Sequence, residues 1–485
     1  MAPTGSVMPY TRGVANQQLM VTLGNTTYSQ TVDTGSGLLS MHCVTPRVAS
    51  SCQSTSGLYN LSSKNQLSFA ACAAMYNKTI GGPSATCYVN VNRSSATNNP
   101  QGCYFSYGLT GGPTLNVYSG MIGADTVTIQ GVQPSRATGP TALAFQGTFA
   151  CTDYYTGCLK NDTACVSAVE GCPPVASTGS NRCPSGSGLE AGFNFSPFSL
   201  PSQLAAQGLV QKVVGFCYQY PLKNSNCTAS TSKPTSYVVV GANTFPAGVT
   251  SYSSMHSAPL VWATFGGAAN GTSAVFGATN TFRSNVNSVT IPQYGSSTPL
   301  TIPMASTTTV LWDTGAYSEM SVPPAVFTAY QNYFSSALPK VNASVGGVLR
   351  PCNPYAFCTL SNQFYNNVSA CVWMPLPNQA SAAAINAAKA TLLSLYPPTF
   401  NMTLPGGAVA AVPTATPVND CGGKNLKLNN GVAVCSYLTP STSSGYFWLA
   451  NPWFNSRFTA FDLRNTNASY AGTVHWSDPI ASCQF

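Results

Sequence analysis

Thr31-Val-Asp-Thr-Gly-Ser36 and Leu311-Trp-Asp-Thr-Gly-Ala316 are the two stretches on which the reading of the fold turns. They lie 280 residues apart, and each follows apolar or β-branched residues. Each Asp is therefore placed where a strand gives way to a tight turn. A single Asp-Thr-Gly reads as a strand-ending Asx turn. Two copies, drawn from only 11 acidic residues in a chain of 485, point to two similar lobes and not to a short-period solenoid.

Chemistry gives a reason for the pairing. Two carboxylates held about 3 Å apart cannot both ionise, so they share one proton. The ionised member can take a proton from a trapped water while the protonated member polarises a peptide carbonyl. Asp33 and Asp313 are thus the candidate catalytic pair for amide hydrolysis without a metal or other cofactor. Gly35 and Gly315 let the two loops approach, and the hydroxyls of Thr34 and Thr314 can lock the opposing loop. Ser36 can donate to Asp33, whereas Ala316 has no hydroxyl for Asp313, so Asp313 is expected to hold the shared proton more readily.

Working outward, short apolar or alternating runs such as Gln18–Gly24, Thr126–Val132 and Ser236–Ala242 are bounded by Gly, Pro, Asn and Ser, as strands are. Helices are expected at three places only: Ser199 to Leu209, Pro324 to about Leu338, and Gln379 to Leu395, the last stopped by Pro397. The fold class is mainly β with a few short helices.

Charged residues make up 6% of the chain, far below the usual quarter, yet no apolar run approaches the roughly 20 residues of a membrane span. The net charge of +8 comes without any adjacent Lys or Arg, which argues against nucleic acid as a partner. Eighteen cysteines, with no Cys-x-x-Cys and only three histidines, indicate disulfides in an oxidising compartment and no metal site. All eighteen are expected to pair, with Cys151, Cys158, Cys165, Cys172 and Cys183 pinning a loop to itself or to a neighbour. Sequons at Asn25, Asn60, Asn77, Asn92, Asn161, Asn194, Asn226, Asn270, Asn342, Asn367, Asn401 and Asn467 favour secretion with N-linked glycans. A vacuolar or other secretory-pathway compartment is the alternative. The opening MAPTGSVMPY lacks the apolar core of a signal peptide, so the chain reads as a mature form or one whose leader is absent.

Longer segments carry a family resemblance. QLMVTLGNTTYSQTVDTGSG, CYFSYGLTGGPTLNVYSGMIGADTVTI, GFNFSPFSLPSQLAAQGLV, PPTFNMTLPGG and YFWLANPWFNSRFTAFDL occur in this order from about residue 18 to 476. The sequence resembles the pepsin family of aspartic proteases, and most its plant-type, nepenthesin-like branch. The resemblance implies a bilobal pepsin-like fold with the active-site cleft between lobes, an N-terminal lobe over 1–255 and a C-terminal lobe over 256–485. It places Tyr107 and Gly108 on the flap, and a polypeptide substrate in the cleft. It also implies that an apolar-apolar-Gly buttress supports each aspartate loop, read here as Met121-Ile122-Gly123 and, with a substitution, Trp448-Leu449-Ala450.

The departures are Ser40 in place of the Trp that steadies the flap Tyr, Ala316, and Ala450, which is tolerable only at negative φ. Some relatives in this branch have lost catalysis. The rival reading is therefore a non-catalytic pepsin-like glycoprotein that binds or inhibits an extracellular protein or builds a wall, coat or fibre. A serine hydrolase is disfavoured because no Gly-x-Ser-x-Gly occurs. Gly186-Ser-Gly188-Leu-Glu-Ala191 only weakly imitates a dinucleotide fingerprint, with no acidic residue some 20 positions on.

Overall fold

The computed structural model describes residues 6–9, 11–12, 17–44, 58–62, 64–67, 104–111, 114–134, 141–159, 188–194, 198–218, 236–241, 244–261, 281–316, 320–353, 359–360, 371–377, 380–418, 431–441, 445–465, 471–481 and 483. The protein is mainly β, as its sequence predicts.

The first half begins from a hairpin. Strands Gln17–Leu23 and Thr26–Asp33 pair antiparallel, and Gly24, at φ 57°, makes the turn between them. Only a residue without Cβ takes that conformation freely. Alternation then sorts the side chains: Tyr28 and Val32 enter the core with Leu19, Val21 and Leu23, while Asp33 ends the strand on the other face.

Beyond Asp33 the chain returns as Leu39–Val44, and strand Gly188–Gly192 slots between the two. It runs parallel to the aspartate strand and antiparallel to the returning one. The second half repeats this design. Thr309–Trp312 leads into Asp313 and lies parallel to Tyr446–Leu449, which is antiparallel to the returning strand Met320–Val322.

The sheet of the first half continues from Thr114–Pro134 and joins the two halves, in the order Ser6–Pro9, Tyr237–Val240, Val213–Cys217, Phe458–Asp462, Gly472–Trp476, His256–Leu260. Strands from both sides of residue 255 therefore share one sheet. Against it, Trp312, Trp453 and Trp476 form a fully buried cluster, with ring centroids 5.3 Å apart for Trp312–Trp453 and 5.9 Å for Trp312–Trp476. These three buried indoles contribute to the apolar burial beneath the second aspartate.

All three expected helices form, as Leu200–Ala206, Pro324–Ser344 and Ala382–Leu393. The second continues past Leu338 through Pro339. Proline there forfeits one backbone hydrogen bond, but Ala337 and Val341 are both buried and keep the last turns docked. The helix ends where Gly346 and Gly347 take positive φ.

Among the described residues three disulfides are present: Cys43–Cys151, Cys217–Cys483 and Cys371–Cys435. Cys165, Cys172 and Cys183 lie outside the described residues. No helix among them is long and apolar enough to cross a membrane.

Of the sequons, Asn25, Asn60 and Asn401 are exposed. Asn342 is half-buried, its Oδ1 accepting from the Leu349 N–H at 3.0 Å. Asn194 corrects the sequence reading: it has no exposed surface, so the folded chain leaves no room for a glycan there. Asn77, Asn92, Asn161, Asn226, Asn270, Asn367 and Asn467 lie outside the described residues.

Candidate active site

The two aspartate loops meet at the join between the halves. In each, the Asp Oδ1 accepts from the amide two residues on, Gly35 N–H at 2.7 Å and Gly315 N–H at 2.8 Å. These are Asx turns, and they fix both carboxylates in the same local frame.

The threonines then cross. Thr34 N–H donates to Thr314 Oγ1 at 3.0 Å, and Thr314 N–H donates to Thr34 Oγ1 at 2.9 Å. Each hydroxyl in turn donates to the strand before the opposite aspartate, Thr34 to the Trp312 carbonyl at 2.7 Å and Thr314 to the Val32 carbonyl at 3.1 Å. All four bonds are buried, so they act where solvent competes least.

The glycines answer to space and not to φ. A Cβ on Gly35 would lie 2.9 Å from both carboxylate oxygens of Asp313, and one on Gly315 would run into the carboxylate of Asp33. Each loop thus lies directly against the other's acid. Asp33 and Asp313 are each 5% exposed. Burial holds the Asp313 carboxyl well above the usual carboxylate range, and the charge of Asp33 and a hydrogen bond with it push the same way. The N–H donors of Gly315 and Trp448 act against this rise.

The outer oxygens differ from the sequence reading. Ser36 Oγ is buried and makes no hydrogen bond, so it does not donate to Asp33. Asp313 Oδ2 is not without a donor either, since the Trp448 indole N–H reaches it at 2.7 Å. The high proton affinity of Asp313 therefore comes from burial and from Asp33, and not from the missing hydroxyl at Ala316.

The first buttress is also corrected. Met121-Ile122-Gly123 sits in strand Thr114–Pro134, paired with Cys151, Ala150 and Phe149, away from the aspartate strand. The residues alongside Val32 and Asp33 are Ala191 and Gly192. Asp33 accepts from the Phe193 N–H at 2.8 Å through its carbonyl, and Leu38 accepts from Gly192 N–H at 2.7 Å. The sequence carried this signal in Gly188-Leu-Glu-Ala-Gly192, part of which imitates a dinucleotide fingerprint. In the second half Leu449 and Ala450 do stand beside the aspartate, with Asp313 N–H donating to the Leu449 carbonyl at 2.9 Å. Ala450 has φ −103°, so its methyl is accommodated.

Tyr107 and Gly108 lie in strand Tyr104–Gly111, whose backbone pairs with Thr114–Pro134 opposite Tyr118 and Val117. Ser40 is buried, its Oγ 3.2 Å from Thr152 Oγ1. Among the described residues no group of His, Cys, Asp and Glu is arranged to hold a metal ion.

With this geometry in place the class is defined: the chain has the bilobal fold of the pepsin-like aspartic proteinases. Three solved structures are similar along almost their whole length. One named edgp has TM-score 0.55 at 13% identity, covering 98% of this chain and 95% of that one. Conglutin gamma, a basic 7S globulin from lupine seeds, has TM-score 0.52 at 11% identity, covering 99% and 98%. Basic 7S globulin from soybean has TM-score 0.51 at 14% identity, again covering 99% and 98%. At these identities the likeness is one of fold. No family model matches the sequence, and no curated protein sequence matches it.

Proposed function

We propose that the protein is a secreted aspartic endopeptidase, in which Asp33 and Asp313 share a proton and activate water against a peptide bond. The observation that carries this reading is the four-bond threonine crossing that holds two buried carboxyls against one another. Burying two acids this way costs stability, and arrangements of that kind concentrate at functional sites. In this reading 1–255 and 256–485 are the two lobes, the polypeptide substrate lies between them, and Tyr107 and Gly108 belong to the flap. Disulfides and exposed sequons support an extracellular setting.

A second reading, a non-catalytic pepsin-like binding or structural glycoprotein, has one specific observation behind it. The indole of Trp448 already occupies an oxygen of Asp313. The similar structures from lupine and soybean are named as basic globulins, and this chain too is basic, at +8. Incubation with a casein-type substrate from about pH 2 to 7, with and without a statine inhibitor, separates the two. Inhibitor-sensitive cleavage supports the protease. Absence of both cleavage and inhibitor binding supports the alternative.

A further inference from the structure

Trp448 belongs to strand Tyr446–Leu449, where Phe447 and Leu449 are fully buried in the core and Trp448, between them, faces the other way and is half-buried. Strand alternation fixes that direction. The strand is held on both sides, parallel to Thr309–Trp312 with Trp448 opposite Leu311, and antiparallel to Met320–Val322 with Trp448 opposite Ser321. The indole therefore stands on a rigid base beside the second aspartate, and its N–H meets Asp313 Oδ2 at 2.7 Å. That is a short, charge-assisted distance for an N–H donor.

We propose that Trp448 is a positioning residue for Asp313, supplying from the neighbouring strand the outer-oxygen donor that Ala316 cannot provide. This deepens the protease reading and rests on it for its catalytic consequence.

The chemistry of the donor matters. A hydroxyl can turn and accept when its carboxyl partner gains a proton, but an indole N–H only donates. With Gly315 on Oδ1 and Trp448 on Oδ2, both oxygens of Asp313 accept from groups that cannot reverse. A proton on Oδ2 along that direction would break the bond. The pair's proton is thereby kept off the side of Oδ2 that faces Trp448. The groups facing Asp313 are Gly315 N–H, Trp448 N–H and Asp33, and Asp33 is the titratable one among them. Ser36, on the opposing loop, makes no hydrogen bond to either acid.

The test uses the full chain with two substitutions, Trp448→Phe and Trp448→3-benzothienylalanine, which keeps the bicyclic shape and lacks the N–H. The first readout is independent of turnover. In protein labelled with ¹⁵N at indole, the Trp448 N–H resonance, assigned by its loss in Trp448→Phe, should move with pH as the aspartate pair titrates. That movement should vanish in Asp313→Asn. The second readout is the pH–rate profile. Losing a donor to the ionised acid should displace the profile to higher pH by about one unit, a roughly tenfold change in proton affinity, with little change in KM. A titrating resonance in a protein that cleaves nothing upholds the positioning role and defeats the protease reading. A resonance that ignores pH, or a benzothienylalanine profile that coincides with wild type, overturns the positioning role.

Discussion

Among the described residues, and apart from the hydrogen bond between the two acids, the Asp33 carboxylate accepts from one group, the Gly35 amide, and the Asp313 carboxylate from two, Gly315 and Trp448. The Asx turn, the crossed threonine and the parallel neighbour strand are alike in the two loops. The side chains that flank this frame differ. Ser36 offers a hydroxyl that bonds to neither acid, and Ala316 offers none. The buttress is Gly192 in one half and Ala450 in the other, because a Cβ on Gly192 would lie within 3.0 Å of the backbone of Leu38 and Gly37. The two halves thus share the frame that holds the carboxyls together and differ in the side chains around it.

The largest effect should test whether the two acids are equally necessary. Asp33→Asn and Asp313→Asn are each expected to reduce turnover by about 10²–10⁴-fold, measured on the folded proteins with an acid-pH peptide assay. Loss at only one of them would break the paired reading.

The threonine crossing should be symmetric in energy. Thr34→Val and Thr314→Val each orphan one buried N–H and one buried carbonyl in the opposing half, so each is expected to cost about 2–4 kcal/mol by urea denaturation. The buttress should not be symmetric. Gly192→Ala is expected to cost about 1–3 kcal/mol by overpacking, and Ala450→Gly about 0.5–1 kcal/mol. Equal costs at the two buttress positions would remove the steric distinction drawn between the halves.

Stability against pH gives a finer contrast. The raised proton affinity of Asp313 contributes stability that is fully present below its unfolded value of 3.8 and is lost as pH rises through its folded value. Asp313→Asn should therefore match wild type near pH 3 and exceed it in urea midpoint at pH 7. Each tenfold change in proton affinity is worth about 1.4 kcal/mol. Two histidines oppose this trend. Burial lowers the affinity of His42 and His475, so their contribution is present above 6.5 and lost as pH falls through their folded values. A wild-type and variant pair that stay parallel from pH 3 to 7 would deny Asp313 its buried proton. The smallest effect is expected at Ala316→Thr, which adds a hydroxyl beside an oxygen that Trp448 already serves. Its pH–rate profile should move by no more than a few tenths of a unit toward acid.

Much of this was legible in the sequence, for reasons that can be named. The duplicated Asp-Thr-Gly fixed both acids, both glycines and both locking threonines, because the short turn determines where each of those atoms goes. The mainly β class and all three helices followed from periodicity and proline placement. Met121-Ile-Gly123 has the apolar-apolar-Gly pattern that Glu190-Ala-Gly192 lacks, so the pattern points to the wrong glycine, and only strand pairing places Gly192 beside the aspartate. Asn194 read as a glycan site because a sequon does not report burial. Trp448 was noted as buttress sequence, but its role was hidden. Its contact with Asp313 spans 135 residues and depends on alternation within a strand whose partners are themselves distant.

The joining sheet has a consequence for the order in which the molecule comes into being. Val213–Cys217 takes Phe458–Asp462 as its neighbour, Cys217 bonds to Cys483, and Thr309–Trp312 awaits Tyr446–Leu449. During synthesis both acids have been incorporated by residue 313, 133 residues before the strand that flanks the second one begins at Tyr446. At about 5–20 residues per second this is an interval of about 7–27 seconds in which the nascent chain carries both acids without the strand beside the second. Pairings of such long range form late and slowly. The two aspartates thus come to face one another late, when the C-terminal strands complete the sheets around them.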